Sequence, residues 1–134
     1  MKPRLALIAR DIIVSSDSGI PSAINIIEGI MASSFPFIIP NISFLGVWVK
    51  EEKDSNEAKG TLHVLVNEQE IINSPVEINF KANEIARCVT QLQGLTIEKP
   101  STITFRVELG GTVNEYSIFS KSIPQALKPA EEAA

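Results

Sequence analysis

From Thr102 to Leu109 the chain alternates: Ile103, Phe105, Val107 and Leu109 fall on one side, and Thr104, Arg106 and Glu108 on the other. A period of two belongs to a strand with one buried and one wet face. Pro100-Ser101 supplies a turn ahead of it. Gly110-Gly111 behind it can take the positive φ angles of a tight two-residue hairpin, which predicts an antiparallel partner over Val113 to Ser120.

The same alternation recurs at Leu62, Val64 and Val66 against Thr61 and His63, and at Val76, Ile78 and Phe80 against Glu77 and Asn79. Both read as antiparallel strands with one solvated side. Ile42 to Val49 differs, because Phe44, Leu45, Val47, Trp48 and Val49 leave almost no polar side. Such a run predicts a central strand covered on both faces. At the front, Leu5 to Val14 and Ala23 to Met31 are isoleucine-rich and are split by Ser15-Ser16-Asp17-Ser18-Gly19, which predicts a hairpin. A helix competes over Ala23 to Met31, since Ile24, Ile27 and Met31 also suit helical spacing and Ser22 could cap it. The density of β-branched side chains favours strand.

Two segments break the pattern. Phe35-Pro36-Phe37-Ile38-Ile39-Pro40 carries two prolines that remove ladder donors, so it reads as an extended crossover at the edge of the sheets. Asn83 to Gly94 fits either a helix, with Ile85, Val89 and Leu92 on one face, or another strand. About eight short strands with regular turn signals favour an all-β, two-sheet antiparallel sandwich over a barrel. With 134 residues, one domain is expected over residues 1–123, followed by a flexible tail over 124–134 where Pro124 and Pro129 precede Glu131-Glu132.

Composition narrows the function classes. Twelve basic and 16 acidic residues give a net charge of −4, and the dense run from Lys50 to Lys59 mixes both signs, so no positive field gathers nucleic-acid phosphates. The start, Leu5 to Ala9, is too short for a secretory apolar region, and no stretch is long enough to span a bilayer as a helix. A cytoplasmic location, without nucleic-acid or membrane partners, is expected. The single cysteine, Cys88, agrees with a reducing compartment and reads as a small buried hydrophobe.

The opening Lys2-Pro3-Arg4-Leu5-Ala6 strand, the second strand ending near Glu28-Gly29-Ile30, the Phe35-Pro36 to Pro40 crossover and the proline turn into Thr102–Leu109 form a further pattern. Together, over roughly residues 2–122, they resemble a family of short bacterial and phage-associated proteins known only as a domain of unknown function. The resemblance implies a β-sandwich, implies strand rather than helix over 83–94, and supplies no catalytic residues.

Candidate chemistry is sparse. His63 is the only histidine and is expected on a solvated strand face, so a Cys88–His63 dyad has no support from spacing. One cysteine and one histidine cannot build a structural zinc site, and Asp17 alone is too few carboxylates for calcium. Glu28 and Glu108 are the acids to inspect as a carboxylate pair, because each sits in an apolar-rich strand. No cofactor is expected. The candidate contact residues are aromatic: Trp48, against a core role, and Phe35 and Phe37 in the crossover, against burial as a lid on the sandwich. These features predict a non-enzymatic binding or assembly module with a protein partner or a second copy, the alternative being a small-ligand or carbohydrate-binding domain.

Overall fold

The computed structural model describes residues 1–81 and 83–123; the predicted tail over 124–134 lies outside the described residues. Nine strands are present among them: β1 (Lys2–Val14), β2 (Pro21–Ile26), β3 (Gly29–Ala32), β4 (Phe37–Val49), β5 (Glu57–Val66), β6 (Gln69–Asn79), β7 (Ile85–Ile97), β8 (Thr102–Leu109) and β9 (Thr112–Ser122). They form a four-stranded sheet in the order β2-β1-β4-β7 and a five-stranded sheet in the order β3-β9-β8-β5-β6. The inward residues of both sheets share one apolar core, including Ile42, Phe44 and Trp48 from the first and Leu62, Phe105 and Ile118 from the second. Phe44 stacks on Phe105 across the two sheets, with centroids 6.0 Å apart and planes 10° from parallel.

The alternating segments behave as their pattern dictates. In β8, Ile103, Phe105 and Val107 are fully buried, and Thr104, Arg106 and Glu108 face outward. Gly110 and Gly111 both take positive φ, 61° and 79°, and close the β8–β9 hairpin with Leu109 opposite Thr112. Residues 83–94 fall mostly in β7, so they are strand. β4 is central, and both its faces are covered: Phe44 and Trp48 inward, Ser43, Leu45 and Val47 outward, none more than 7% exposed.

Three expectations are corrected. Ala23 to Met31 is not one strand: the chain pairs antiparallel with β1 as far as Ile26, then crosses at Ile27-Glu28 and joins β9 as β3. β3 runs parallel to β9, so the five-stranded sheet is not purely antiparallel. Asn25, in the left-handed region at φ 56°, stands at the turn-off, where an asparagine tolerates that backbone. The crossover is also shorter than predicted, because Phe37 to Pro40 already belongs to β4 and pairs with β7. Pro40 is accommodated because β1 flanks β4 only from Ser43 onward, leaving this stretch an edge on that side.

Pro40 also marks a corner. Ile42 and Ile39 both point into the core, as do Leu92 and Leu95 opposite them, so alternation slips by one on both strands at the same level. Gly94, at φ 77°, supplies the turn of backbone on β7. Beyond the corner Phe37, Ile39, Leu95 and Ile97 close one end of the core.

Gly46 is a glycine for a steric reason rather than a conformational one. A Cβ there would collide with the far edge of the Trp48 ring, two residues along the same face. Gly46→Ala should therefore cost about 1–3 kcal/mol as overpacking. In a Trp48→Phe background, which lacks those ring atoms, urea melts should show most of that cost gone; an unchanged cost would remove the ring as its cause.

Candidate interaction surface

The three aromatic candidates have different fates. Trp48 is 1% exposed and sits in the core, with its Nε1 buried and without a hydrogen-bond partner among the described residues. It is structural, because the central strand that carries it is covered on both sides. Phe35 and Phe37 are half-buried and pack on the core, as a lid does. Phe37 also lines a cleft of about 400 Å³ with Ile26, Ile27, Met31, Ile39 and Arg10, at the place where β2 leaves for the other sheet.

The polar candidates do not assemble. Cys88 points inward from β7 in one sheet, whereas His63 points outward from β5 in the other, so no dyad exists. Burial pushes the Cys88 thiol up, against a weaker opposing effect from the Thr90 hydroxyl 3.8 Å away. His63 instead lies between two carboxylates on the outer face of the five-stranded sheet. Its Nδ1 meets Glu70, and its Nε2 stands 3.6 Å from Glu108 Oε1. Arg106, directly opposite His63, adds an ion pair with Glu115 at 3.4 Å. This row crosses four strands and is a solvated polar face.

Glu28 and Glu108 are far apart. Gly29 is level with Phe119, which pairs with Thr102, and Glu108 lies six residues further along β8. At about 3.3 Å per residue that is ~20 Å, well beyond the roughly 5–9.5 Å of glycosidase carboxyl pairs.

What sequence reasoning missed is the outer face of the four-stranded sheet. An antiparallel sheet ordinarily turns a polar face to water. Here the outward positions include Leu5, Leu7 and Ala9 on β1, Leu45 and Val47 on β4, and Ile85 and Val89 on β7, with the polar Ser43, Arg87 and Gln91 among them. Leu45 and Val47 are nevertheless buried, and the β1–β2 hairpin helps to explain it: Ile20, Pro21 and Ala23 line one cleft of about 490 Å³ together with Leu5, Leu7, Leu45, Val47 and Ile85. Arg4 and Arg87 complete its lining, and neither has an ion pair among the described residues. Leu5 and Ile20 remain 48% and 59% exposed. The available signal was the two-sided apolar run of β4, which required a cover on its outer side.

Trp48 in a dry core and Cys88 inside the sandwich make a joint prediction. Native emission should be blue-shifted and resist acrylamide, and the thiol should react with a disulfide reagent only at the rate of unfolding. Red-shifted, quenchable emission or immediate thiol labelling would contradict the placement of β4 against β7.

Comparison with known proteins adds one assignment. No curated protein and no solved structure matches the chain. A family of unknown function, DUF6941, matches residues 5–118, from β1 into β9. The span takes in the hairpin, the sheet crossing and both sheets, and so the chain belongs to this family of unknown function.

Proposed function

We propose that the chain is a non-enzymatic assembly module that docks a protein partner on the outer face of its four-stranded sheet. The observation that carries this reading is the contrast between the two outer faces. The middle of the five-stranded sheet shows water Thr61, His63, Thr104, Arg106, Glu108, Glu115 and Ser117, with apolar Val113, Phe119 and Met31 exposed toward the ends of β9 and on β3, whereas the four-stranded sheet groups Leu5, Leu7, Ile85 and Val89, with Ile20 of the hairpin beside them. Apolar side chains grouped on one face and rimmed by arginines without an ion pair among the described residues match the make-up of contact surfaces, in which arginine is enriched and lysine depleted. Large apolar groups left in water bring no stability to the monomer; a partner that covers them gains about 25 cal/mol for each Å² removed from water.

Leu5→Asp tests the reading, with Val113→Asp, on the outer face of the other sheet, as its control. Wild type and the Val113 variant should form the same defined complex, hetero- or homomeric, by light scattering and by affinity capture from the native host. Leu5→Asp should lose it while melting within a few degrees of wild type. Identical behaviour of all three proteins would end the assignment of the face.

A second reading, a small apolar ligand in the Phe37 cleft, is supported by its volume of about 400 Å³, which falls in the range of small-molecule sites. Saturable binding of an apolar fluorescent probe that Phe37→Ala abolishes would favour it over docking.

A further inference from the structure

Sheet edges expose unpaired backbone groups, and folded chains ordinarily guard them with prolines, charges, bulges or brevity. β3 is four residues long. β2 is six residues long, starts at Pro21 and turns off at the left-handed Asn25. β6 carries Pro75 mid-strand with Glu70 and Glu77. The stretches of β1 and β9 that β2 and β3 leave uncovered lie against one another along one side of the sandwich, where Ala6–Ile8 and Tyr116–Ile118 line a common cleft. β7 stands apart: it is thirteen residues long, holds no proline and has Arg87 as its single charge.

The hydrogen-bond phase of β7 shows which groups are free. The Lys50 N–H donates to the Glu84 carbonyl at 2.7 Å, one step beyond the β4–β7 ladder and in the same register. In an antiparallel pair, bonded and non-bonded positions alternate. The even residues Ala86, Cys88, Thr90 and Leu92 therefore bond to β4, and the odd residues Ile85, Arg87, Val89 and Gln91 aim N–H and C=O at the open edge. The side chains of these odd residues also point to the apolar outer face.

We propose that β7 is a homodimerisation edge, pairing antiparallel with β7 of a second copy about a two-fold axis at Val89. This rests on the assembly reading above and names its partner. The axis sets Val89 against its mate, Arg87 against Gln91 and Ile85 against Gln93, so no like charges are opposed. The two Arg87 side chains stand four residues apart along the strands, about 13 Å, beyond the screening length of roughly 8 Å at physiological ionic strength. Val89, 40% exposed in the single chain, is covered by its counterpart. Two four-stranded sheets become one of eight, and their apolar outer faces become continuous. Such a contact is isologous and closes at two copies, so it does not propagate into a fibre.

Two variants separate edge from face. Val89→Pro removes an N–H that bonds to nothing among the described residues and so spares the β4 ladder, and Val89→Lys opposes two ammonium groups across the axis. Sedimentation of the purified full chain should show a wild-type dimer, with either variant weakening association roughly tenfold or more. Amide exchange of wild type at low and high concentration should slow at Arg87, Val89 and Gln91 as the dimer fills, while Ala86, Cys88 and Thr90 stay protected throughout. A wild-type monomer at about 1 mM, with concentration-independent exchange at the odd amides, overturns the proposal. So does a dimer indifferent to both Val89 variants: if Leu5→Asp dissolves that dimer, the docking face stands and only the edge fails, and if Leu5→Asp leaves it intact and also leaves capture from the host unchanged, both fail.

Discussion

The coverage of β4 on both faces is the constraint from which the rest of the sandwich follows. Inward, Phe44 stacks on Phe105 and meets Tyr116 with ring centroids 5.8 Å apart, so one side chain ties this strand to β8 and β9 of the opposite sheet. Such aromatic pairs contribute about 0.5–1.5 kcal/mol beyond the area they bury. Outward, Ser43, Leu45 and Val47 are as dry as the core. A two-layer sandwich alone would leave that side wet. The flanking Leu5, Leu7 and Ile85 and the hairpin tip at Ile20–Ala23 supply the missing cover. The apolar outer face is thus a consequence of how the chain encloses its most hydrophobic strand, and the same face carries the docking reading.

The sheet crossing at Ile27-Glu28 solves a different problem. By leaving β1 and adding to β9, the segment places Ile30 and Ala32 in the core of the second sheet and ties the two layers together along one side. At one end of the sandwich, Pro40 and Gly94 turn two strands together, so that Phe37, Ile39, Leu95 and Ile97 cap the core. At the crossing and at the corner, the sites where alternation fails have residues with a backbone reason: a left-handed asparagine, a proline without a donor, a glycine at positive φ. Regular strands need no such residues, and β8 has none.

Those differences explain what was legible in the sequence. β8, its glycine hairpin, β5 and the double-sided β4 were readable because local alternation and turn chemistry alone specify them. The splitting of Ala23 to Met31 was not, since isoleucines satisfy either sheet and the choice of β9 as neighbour is made by contacts about ninety residues away along the chain. Burial of Trp48 followed from the pattern of its strand. The apolar outer face was the least legible part: an outward leucine such as Leu5 and an inward one such as Leu62 look alike until the hairpin is placed over one of them. Glu28 and Glu108 likewise drew notice only because each stands among apolar residues, and strand register separates them.

The guarding of edges carries the most functional meaning. A charge on an exposed edge alters monomer stability little, because surface substitutions usually fall within about 0.5 kcal/mol. A bare edge therefore cannot be explained by the needs of folding. β6 and β7 are the outer strands on the same side of the sandwich, one from each sheet, and face the same solvent with the same risk of mispairing. Yet β6 carries Pro75 and two glutamates, and β7 one arginine in thirteen residues. A general safeguard against aggregation would treat both alike. Among the described residues one edge is guarded and its neighbour is open, which is the arrangement the proposed pairing of β7 requires, and that edge borders the apolar face.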